Sequence, residues 1–541
     1  LYKAPSSFTI VCSAERKHGR SNALLAKHAG WRYTPSSAPF YKRLRFGYRM
    51  RRSRPMRKFL AFTLVISSLL FVYILVLPFR SNVHVYTCLN QNHHDVESRL
   101  ASFNGEVKRS LIAGDAGEQI QYEDGDHWRS VFPGIHVYSA YLEKGAARDS
   151  WIVRIISVTE NDDPKLQTSQ PNVQCWISAG RATYVAQATY EPVREHDWLP
   201  LGTASFLCPV EFPETVLKER MVRVALGISH RMDVPIWLDV HMPQKSKAKC
   251  CAVCTTPIAG HFDKLSALAE FVGYYSTVGV RRFDFYVGDV SRDVELLLVH
   301  LQRVSGADIV THKWNLQFNR SELLEHRASQ LDCSYRSRFE SEYAINADFE
   351  EFLVPKHGRS IPEALRTLEA SYGEDSIGSI VVQKHFFCSE YAYNKDNLDR
   401  RYEVPLMTRV RQLREVTSWR FDVPWKYITK ANATEYAGAG FALGRLGERR
   451  VVDAGENALA LHHYTSCCGL TKPVLYGLVS VDVLSNSELM EDGGLRRFGD
   501  AIANSTAIAL VNSFVAAAVE SHTGAYEPLM PLDGEFHFWY L

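Results

Sequence analysis

The chain has 541 residues, 46% of them hydrophobic and 12% aromatic, enough apolar material for more than one packed core and too much for a disordered polymer. Its formal charge of +2 conceals an asymmetry. Residues 1–58 hold fifteen Lys and Arg against one acid, Glu15, which leaves 47 basic and 59 acidic side chains beyond them. A basic leader on an acidic body excludes a protein that binds nucleic acid along its length.

The leader runs into a membrane-type segment. Phe59 to Phe79 carries no charge, and as a helix it would rise roughly 31 Å, the thickness of a hydrocarbon core. Arg51, Arg52, Arg54, Arg57 and Lys58 crowd its N-terminal side, whereas only Arg80 stands close on the other. The positive-inside bias therefore puts the N-terminus in the cytosol and the body across the membrane. A cleaved signal peptide is the competing reading, but its apolar region is normally about 7–15 residues and ends at small residues. Cysteine use agrees with the orientation. Ten of the eleven cysteines follow the apolar run, where an oxidising compartment allows disulfides whose pairing the sequence leaves open. Three N-glycosylation triplets, beginning at Asn319, Asn432 and Asn504, fall on the same side.

Residues 80–125 are polar and aperiodic, as a stem would be. From about 126 to 245 short β-branched and aromatic runs, such as Ile135 to Tyr141, Trp151 to Ile156 and Met221 to Leu226, alternate with turn-rich stretches and predict a smaller β-rich module. After a basic linker the texture changes. Strand-like Cys251 to Thr256 precedes a helix with Leu265, Leu268, Val272 and Tyr275 on one face. Strand Arg282 to Val287, a helix with Val294, Leu297, Leu298 and Leu301, and strand Ala307 to Val310 follow. Ser321 is placed to cap a third helix toward Arg338, and Tyr343 to Asp348 reads as a fourth strand. This alternation predicts an α/β domain over 246–515 with a mostly parallel central sheet, and a C-terminal tail over 516–541. In such sheets ligands gather beyond the carboxyl ends of the strands.

The fourth predicted strand ends in Asp348, Glu350 and Glu351. Clustered carboxylates repel unless a cation or hydrogen-bond donors compensate, and their hard oxygens suit Mn²⁺ or Mg²⁺. Such an ion can bridge the diphosphate of a nucleotide sugar and offset charge on the leaving group. The plainer alternative is a solvated acidic loop. Cys250, Cys251 and Cys254 include a metal-type spacing, but without a partner C-x-x-C a disulfide or buried thiols are favoured.

Several ordered elements carry a family resemblance: Cys254 to Ile258 (CTTPI), Leu268 to Tyr275 (LAEFVGYY), Gly279 to Tyr286 (GVRRFDFY), Gln330 to Arg336 (QLDCSYR) and Asp348 to Pro355 (DFEEFLVP). With Val137 to Tyr141 upstream and His462 to Tyr464 downstream, they resemble glycosyltransferase family 92 across residues 128–515. The resemblance implies a GT-A-like nucleotide-sugar-binding domain and inverting transfer of a hexose, chiefly galactose from UDP-galactose, with Mn²⁺ (or Mg²⁺). It places Asp348 and Glu350 on the family's Asp-x-Asp pair, Glu351 on the acid that follows, with a catalytic role, and His463 on a His-Tyr element. Glu350 departs from the second Asp, and Thr465 stands where the family often has Arg.

His463 is then either a metal or diphosphate ligand or a packed histidine. Inversion needs a carboxylate base for the acceptor hydroxyl, for which Glu390 and the acids at 491–492 are candidates. Combined with the anchor, the resemblance implies a single-pass type II protein of the Golgi membrane. Its partners would be a nucleotide-sugar donor, a glycan acceptor and, through one N-terminal helix, the membrane. The alternative is a lumenal glycan-binding or scaffolding relative with weakened catalysis, suggested by Glu350 and Thr465. A glycoside hydrolase would also use paired carboxylates, but with neither metal nor nucleotide.

Overall fold

The computed structural model describes residues 119–520 with short omissions, the larger at 161–172, 212–221, 393–405 and 417–425. The leader, the apolar run 59–79, nearly all of the stem, Asn319 and Ser321 lie outside the described residues. Among the described residues no helix is long and apolar enough to cross a membrane.

The fold is mixed α/β and contains two nine-stranded sheets. The first comprises β1 (Arg129–Phe132), β2 (Ile135–Lys144), β3 (Ser150–Glu160), β4 (Val173–Ala179), β5 (Ala182–Gln187), β6 (Thr189–Pro192), β7 (Leu201–Glu211), β8 (Val222–Ile228) and β9 (Leu238–His241). Its order is β5-β4-β8-β9-β2-β3-β7-β6, with β1 hydrogen-bonded to β2. The register is antiparallel except where β2 meets β9. Strand β4 has the alternating burial of a sheet with one covered face, and Cys175 on it is disulfide-bonded to Cys208 on β7.

The second sheet opens with four parallel strands: β10 (Lys249–Cys254), β11 (Arg282–Val287), β12 (Asp308–Lys313) and β13 (Ser341–Asn346). They are linked through helices α1 (Leu265–Thr277), α2 (Arg292–Val304) and α3 (Glu322–Ser337), giving the spatial order β12-β11-β10-β13. This part follows the sequence pattern. Strand β11 is buried throughout, as a parallel strand covered on both faces must be. Ser291 accepts the Val294 N–H at 3.3 Å to cap α2, and Asp293 and Glu295 complement its N-terminal dipole.

Beyond β13 the sheet becomes mixed: among the described residues five of its eight strand pairs are parallel, in keeping with the expected mostly parallel sheet, and three are antiparallel. The chain turns into β14 (Glu351–Pro355), passes helix α4 (Ile361–Tyr372) and returns as the twelve-residue β15 (Ile377–Cys388). Short α5 (Met407–Val410) and β16 (Leu413–Glu415) lead to β17 (Lys426–Lys430), which lies antiparallel between β13 and β15. A hairpin of β18 (Tyr436–Ala437) and β19 (Ala442–Leu443) precedes β20 (Arg450–Asp453), short α6 (Gly455–Ala458) and β21 (Leu459–Thr465). Both β20 and β21 run parallel to β15, and β14 closes the edge antiparallel to β21. A strand threaded back from later in the chain needs no helical crossover, which is why β-α alternation does not reveal it.

The remaining elements are β22 (Thr471–Val474) paired with β23 (Val479–Asp482), β24 (Leu489–Glu491) paired with β16, short α7 (Gly499–Ala503), and α8 (Thr506–Glu520). Helix α8 runs across the 515/516 boundary expected for a tail. It returns to α1 and α2, where a Cβ on Gly273 would lie 2.5 Å from the Ser505 hydroxyl, so the close approach requires glycine.

A buried carboxylate joins the two sheets. Asp332 of α3 is fully buried and accepts from Tyr141 Oη of β2 at 2.6 Å, Tyr286 Oη of β11 at 2.6 Å and Ser139 Oγ of β2. Arg336, one turn on, supplies the compensating charge at 3.2 Å. Trp128, Tyr138, Tyr286 and Trp314 pack around it with ring centroids 5.0–5.3 Å apart for the closest pairs. The Cys254–Cys333 disulfide fixes α3 to β10, and Cys388–Cys467 ties the end of β15 to the chain just after β21; each closes 79 residues. The Cys254–Cys333 pairing supports the disulfide reading of Cys254 over a metal site. A second buried acid, Asp284, sits between Arg282 (2.9 Å) and His312 (2.8 Å). Burial alone would raise its carboxyl, but the guanidinium and imidazole hold it well below the usual carboxylate range.

Two outcomes follow from these acids. Asp332→Ala leaves Arg336 and two phenols without their buried acceptor and is expected to cost about 3–5 kcal/mol in urea unfolding of the purified chain. Asp284 has a depressed folded pKa, so its stabilisation is present above about pH 4, the unfolded value, and is lost as pH falls below that. Thermal unfolding of Asp284→Asn between pH 5 and about pH 2 should therefore show a flatter acid dependence than the parent; an unchanged slope would refute the assignment.

Candidate active site

The acids foreseen at a strand end lie in the turn between β13 and β14, because β13 stops at Asn346. Three contacts shape that turn. The Glu351 N–H donates to the Asp348 carbonyl at 2.9 Å, the Asp348 N–H to Glu351 Oε2 at 3.1 Å, and the Ala347 N–H to the Cys254 carbonyl at 3.1 Å. Phe349 points into the apolar core against Phe262, Phe271 and Phe285, at centroid distances of 5.4, 5.1 and 6.0 Å. The acids on either side of it stay near the surface, with Asp348 and Glu350 side chains 27% and 29% exposed.

Glu351 differs from both. It is fully buried and bonds to Lys384 of β15 at 2.9 Å. Tyr275 of α1 donates to its carbonyl at 3.0 Å and accepts from the Leu353 N–H at 3.2 Å. A carboxylate already neutralised and holding a backbone N–H is a positioning group. The structure thus gives Glu351 the task of fixing the turn, away from the catalytic role expected from its place in the motif.

His463 reaches the turn because β14 and β21 pair Glu351 with His463. Its Nε2 lies 2.6 Å from Glu350 Oε1 and its Nδ1 3.7 Å from Glu351 Oε1. The longer Glu350 side chain at this position therefore spans to β21. Asp348 turns the other way, toward His326 of α3, with Oδ1 3.8 Å from Nε2. Lys264, before α1, also feels Glu350: burial lowers its ammonium pKa, and Glu350 and then Asp263 oppose that shift. Three carboxylates are thus met by two ammonium groups and two histidines. Asp348, Glu350 and His463 offer carboxylate oxygen and imidazole nitrogen, donor types that suit Mn²⁺ or Mg²⁺, but their ligand atoms do not all lie within 4.8 Å of one another, so Asp348 would have to turn from His326 for the three to share an ion.

Glu390 is not among them. It follows β15, and its carboxylate accepts from Ser466 Oγ at 2.5 Å and from the Cys467 and Cys468 N–H groups at 3.0 and 3.1 Å. It lies in the turn two residues past Cys388, where β15 ends, whereas His463 pairs with Phe386 within that strand. With both carboxylate oxygens engaged by these donors, Glu390 braces the turn that the Cys388–Cys467 bridge closes. Those two cysteines and Glu390 form a three-donor group within 4.8 Å, but both sulfurs are spent in the disulfide.

The acids at 491–492 divide likewise. Glu491 is exposed on β24, whereas Asp492 bonds to Arg414 at 2.7 Å and accepts from the Gly494 N–H at 2.9 Å. Burial pushes the Asp492 carboxyl up, but His462, Arg414 and Lys356 together hold it well below the ordinary range, which makes it a weak base. Next to it His462 is fully buried, and burial first and then Arg414 and Lys356 lower the neighbouring His385 to about 3. His462 and His463 therefore serve opposite faces of β21, a separation that strand alternation predicts once β21 is known to be a strand.

Of the glycosylation triplets, Asn432 is exposed in the turn after β17, and Asn504 is exposed between α7 and α8. His326, Lys264 and Lys384 were missed because each comes from an element remote in sequence. Only the lysine inside the buried run of β15 was a signal, since a charge in such a strand needs a partner.

No curated protein matches the chain. Residues 249–476 match the family model described as Glycosyltransferase family 92, a segment that begins with β10, takes in the whole Asp348–Glu351 turn and His463, and leaves the first sheet outside. By that match the segment 249–476 is assigned to glycosyltransferase family 92, a family of glycosyltransferases.

Proposed function

We propose that this glycosyltransferase moves a hexose, most simply galactose from UDP-galactose, onto a glycan acceptor with inversion, and that it does so with a divalent cation in the secretory pathway. The observation that carries this reading is the Asp348–Glu350 pair, held half-exposed in a turn at the carboxyl end of a parallel strand. Family membership supports the reaction class. The order β12-β11-β10-β13 with helical crossovers supports a GT-A-like nucleotide site at that end.

In this reading Asp348, Glu350 and His463 hold Mn²⁺ or Mg²⁺, which when bound neutralises charge on the departing diphosphate. Glu351 and Lys384 keep the turn in shape from below, and Tyr275 locks the backbone on both sides of Phe352. Lys264 adds a positive charge beside Glu350 that favours a phosphate-bearing ligand. The imidazole of His463 donates to Glu350 at 2.6 Å, which holds these two side chains together. That same Glu350–His463 bond is the observation favouring the second reading, a lumenal relative that binds glycans with little turnover.

The anchor at 59–79, the type II orientation and the Golgi address belong to the proposal, supported by the charge asymmetry of the leader and by the disulfides. Two measurements test it. Asp348→Ala should reduce Mn²⁺-dependent transfer from UDP-galactose by roughly 10²–10³-fold, and a chelator should do the same to the parent; activity indifferent to both would reject the mechanism. For the address, Asn432→Gln and Asn504→Gln should each remove one glycosidase-sensitive increment of mass from the expressed chain, and a chain with no such increments would place the domain on the cytosolic side.

A further inference from the structure

Strand parity places more than acids on the α3 side of β13. Ala344 packs with Leu324, Ala328 and Cys333 of α3, and Asp348 comes within 3.8 Å of His326 on the same helix. Asn346 lies between them, two residues from each, on the shared face. It is 2% exposed, and among the described residues neither its amide oxygen nor its amide nitrogen has a hydrogen-bond partner. Gln330 of α3 is 1% exposed; its amide nitrogen donates to His326 Nε2, while its oxygen has no partner among the described residues. The Cys254–Cys333 bridge brings these residues together, since Cys254 is the register partner of Asn346 and Cys333 lies three residues from Gln330. In a parallel β-α unit the N-terminal half of the helix stands at the carboxyl ends of the strands, the side of the Asp348–Glu350 turn.

Two buried amides with unspent hydrogen-bonding capacity, fixed by a disulfide, are costly unless a ligand completes them. An amide presents an acceptor and a two-hydrogen donor side by side, the complement of neighbouring hydroxyls on a pyranose ring. We infer that Asn346 and Gln330 hold the hydroxyls of the donor hexose and are specificity-determining residues of the transferase. This rests on the proposed function. The donor is favoured over the acceptor because Asn346 stands two residues before Asp348, where the diphosphate joined to that hexose is to be held. An acceptor arrives from solvent, and these amides are almost wholly buried. Neutral amides beside charged acids also divide the labour: carboxylates for the diphosphate end, amides for the sugar.

Near-isosteric substitutions, Asn346→Leu and Gln330→Met, test this in the full chain with Mn²⁺ present. Calorimetric titration should show UDP binding unchanged and UDP-galactose binding weakened about tenfold or more. The KM for the acceptor should stay as in the parent. The ligand-free melting temperature of Asn346→Leu should not fall, because that replacement removes a buried amide without a partner among the described residues. Equal loss of UDP and UDP-galactose affinity, no loss of either, a change confined to the acceptor KM, or a drop in the melting temperature of Asn346→Leu would each overturn the assignment. If the unsubstituted chain binds neither UDP nor UDP-galactose, the transferase reading itself falls, and this inference with it.

Discussion

The architecture turns on one carboxylate. Asp332 has no water to solvate it, so it must collect donors, and it collects them from β2, β11 and its own helix. Helix α3 is consequently fixed between a mainly antiparallel sheet and a mixed one, and it belongs to the packing of both. A helix fastened on two sides cannot rotate without breaking phenol hydrogen bonds. The residues nearer its N-terminus, His326 and Gln330, inherit that rigidity and meet the acidic turn at a defined height.

The turn itself shows how a short sequence separates tasks by direction. In Asp348, Phe349, Glu350 and Glu351 the aromatic anchors inward, two acids flank it, and the last acid is buried against Lys384. Repulsion among the three carboxylates is thus relieved unevenly. One is neutralised outright, which leaves two to act on whatever approaches. Glu270 repeats the device elsewhere: fully buried in α1, it accepts the Met407 and Thr408 N–H groups at 2.9 Å and so supplies the cap that α5 lacks from its own residues. Buried acids in this protein satisfy backbone donors or cations from remote segments.

Those remote partnerships explain what the sequence could disclose. The parallel strands β10 to β13 and helices α1 to α3 were legible because each helix follows its strand after four to ten residues and shows its own apolar period. Strands β15, β17 and β21 pair across long stretches of chain, and nothing local announces their neighbours. At the site, Asp348 and Glu350 were legible as an acidic cluster, and His463 through a resemblance. Burial could not be read, so Glu351 looked like its exposed neighbours and Glu390 like a free base. The pairing of Cys254 with Cys333 was equally hidden, since ten cysteines beyond the apolar run allow many connectivities.

Consecutive histidines in β21 have a consequence for assembly of the sheet. One imidazole belongs in an acidic socket beside Glu350, the other in a closed compartment flanked by Asp492 and by His385. Sliding the strand by a single position would put either Tyr464 in the place of His463 and His463 in that of His462, or His462 in the place of His463 and Leu461 in that of His462. Hydrophobic alternation alone tolerates such slippage when both faces are covered. Here two unlike receptors, one for each ring, act as a key that admits a single alignment of β21 between β14 and β15.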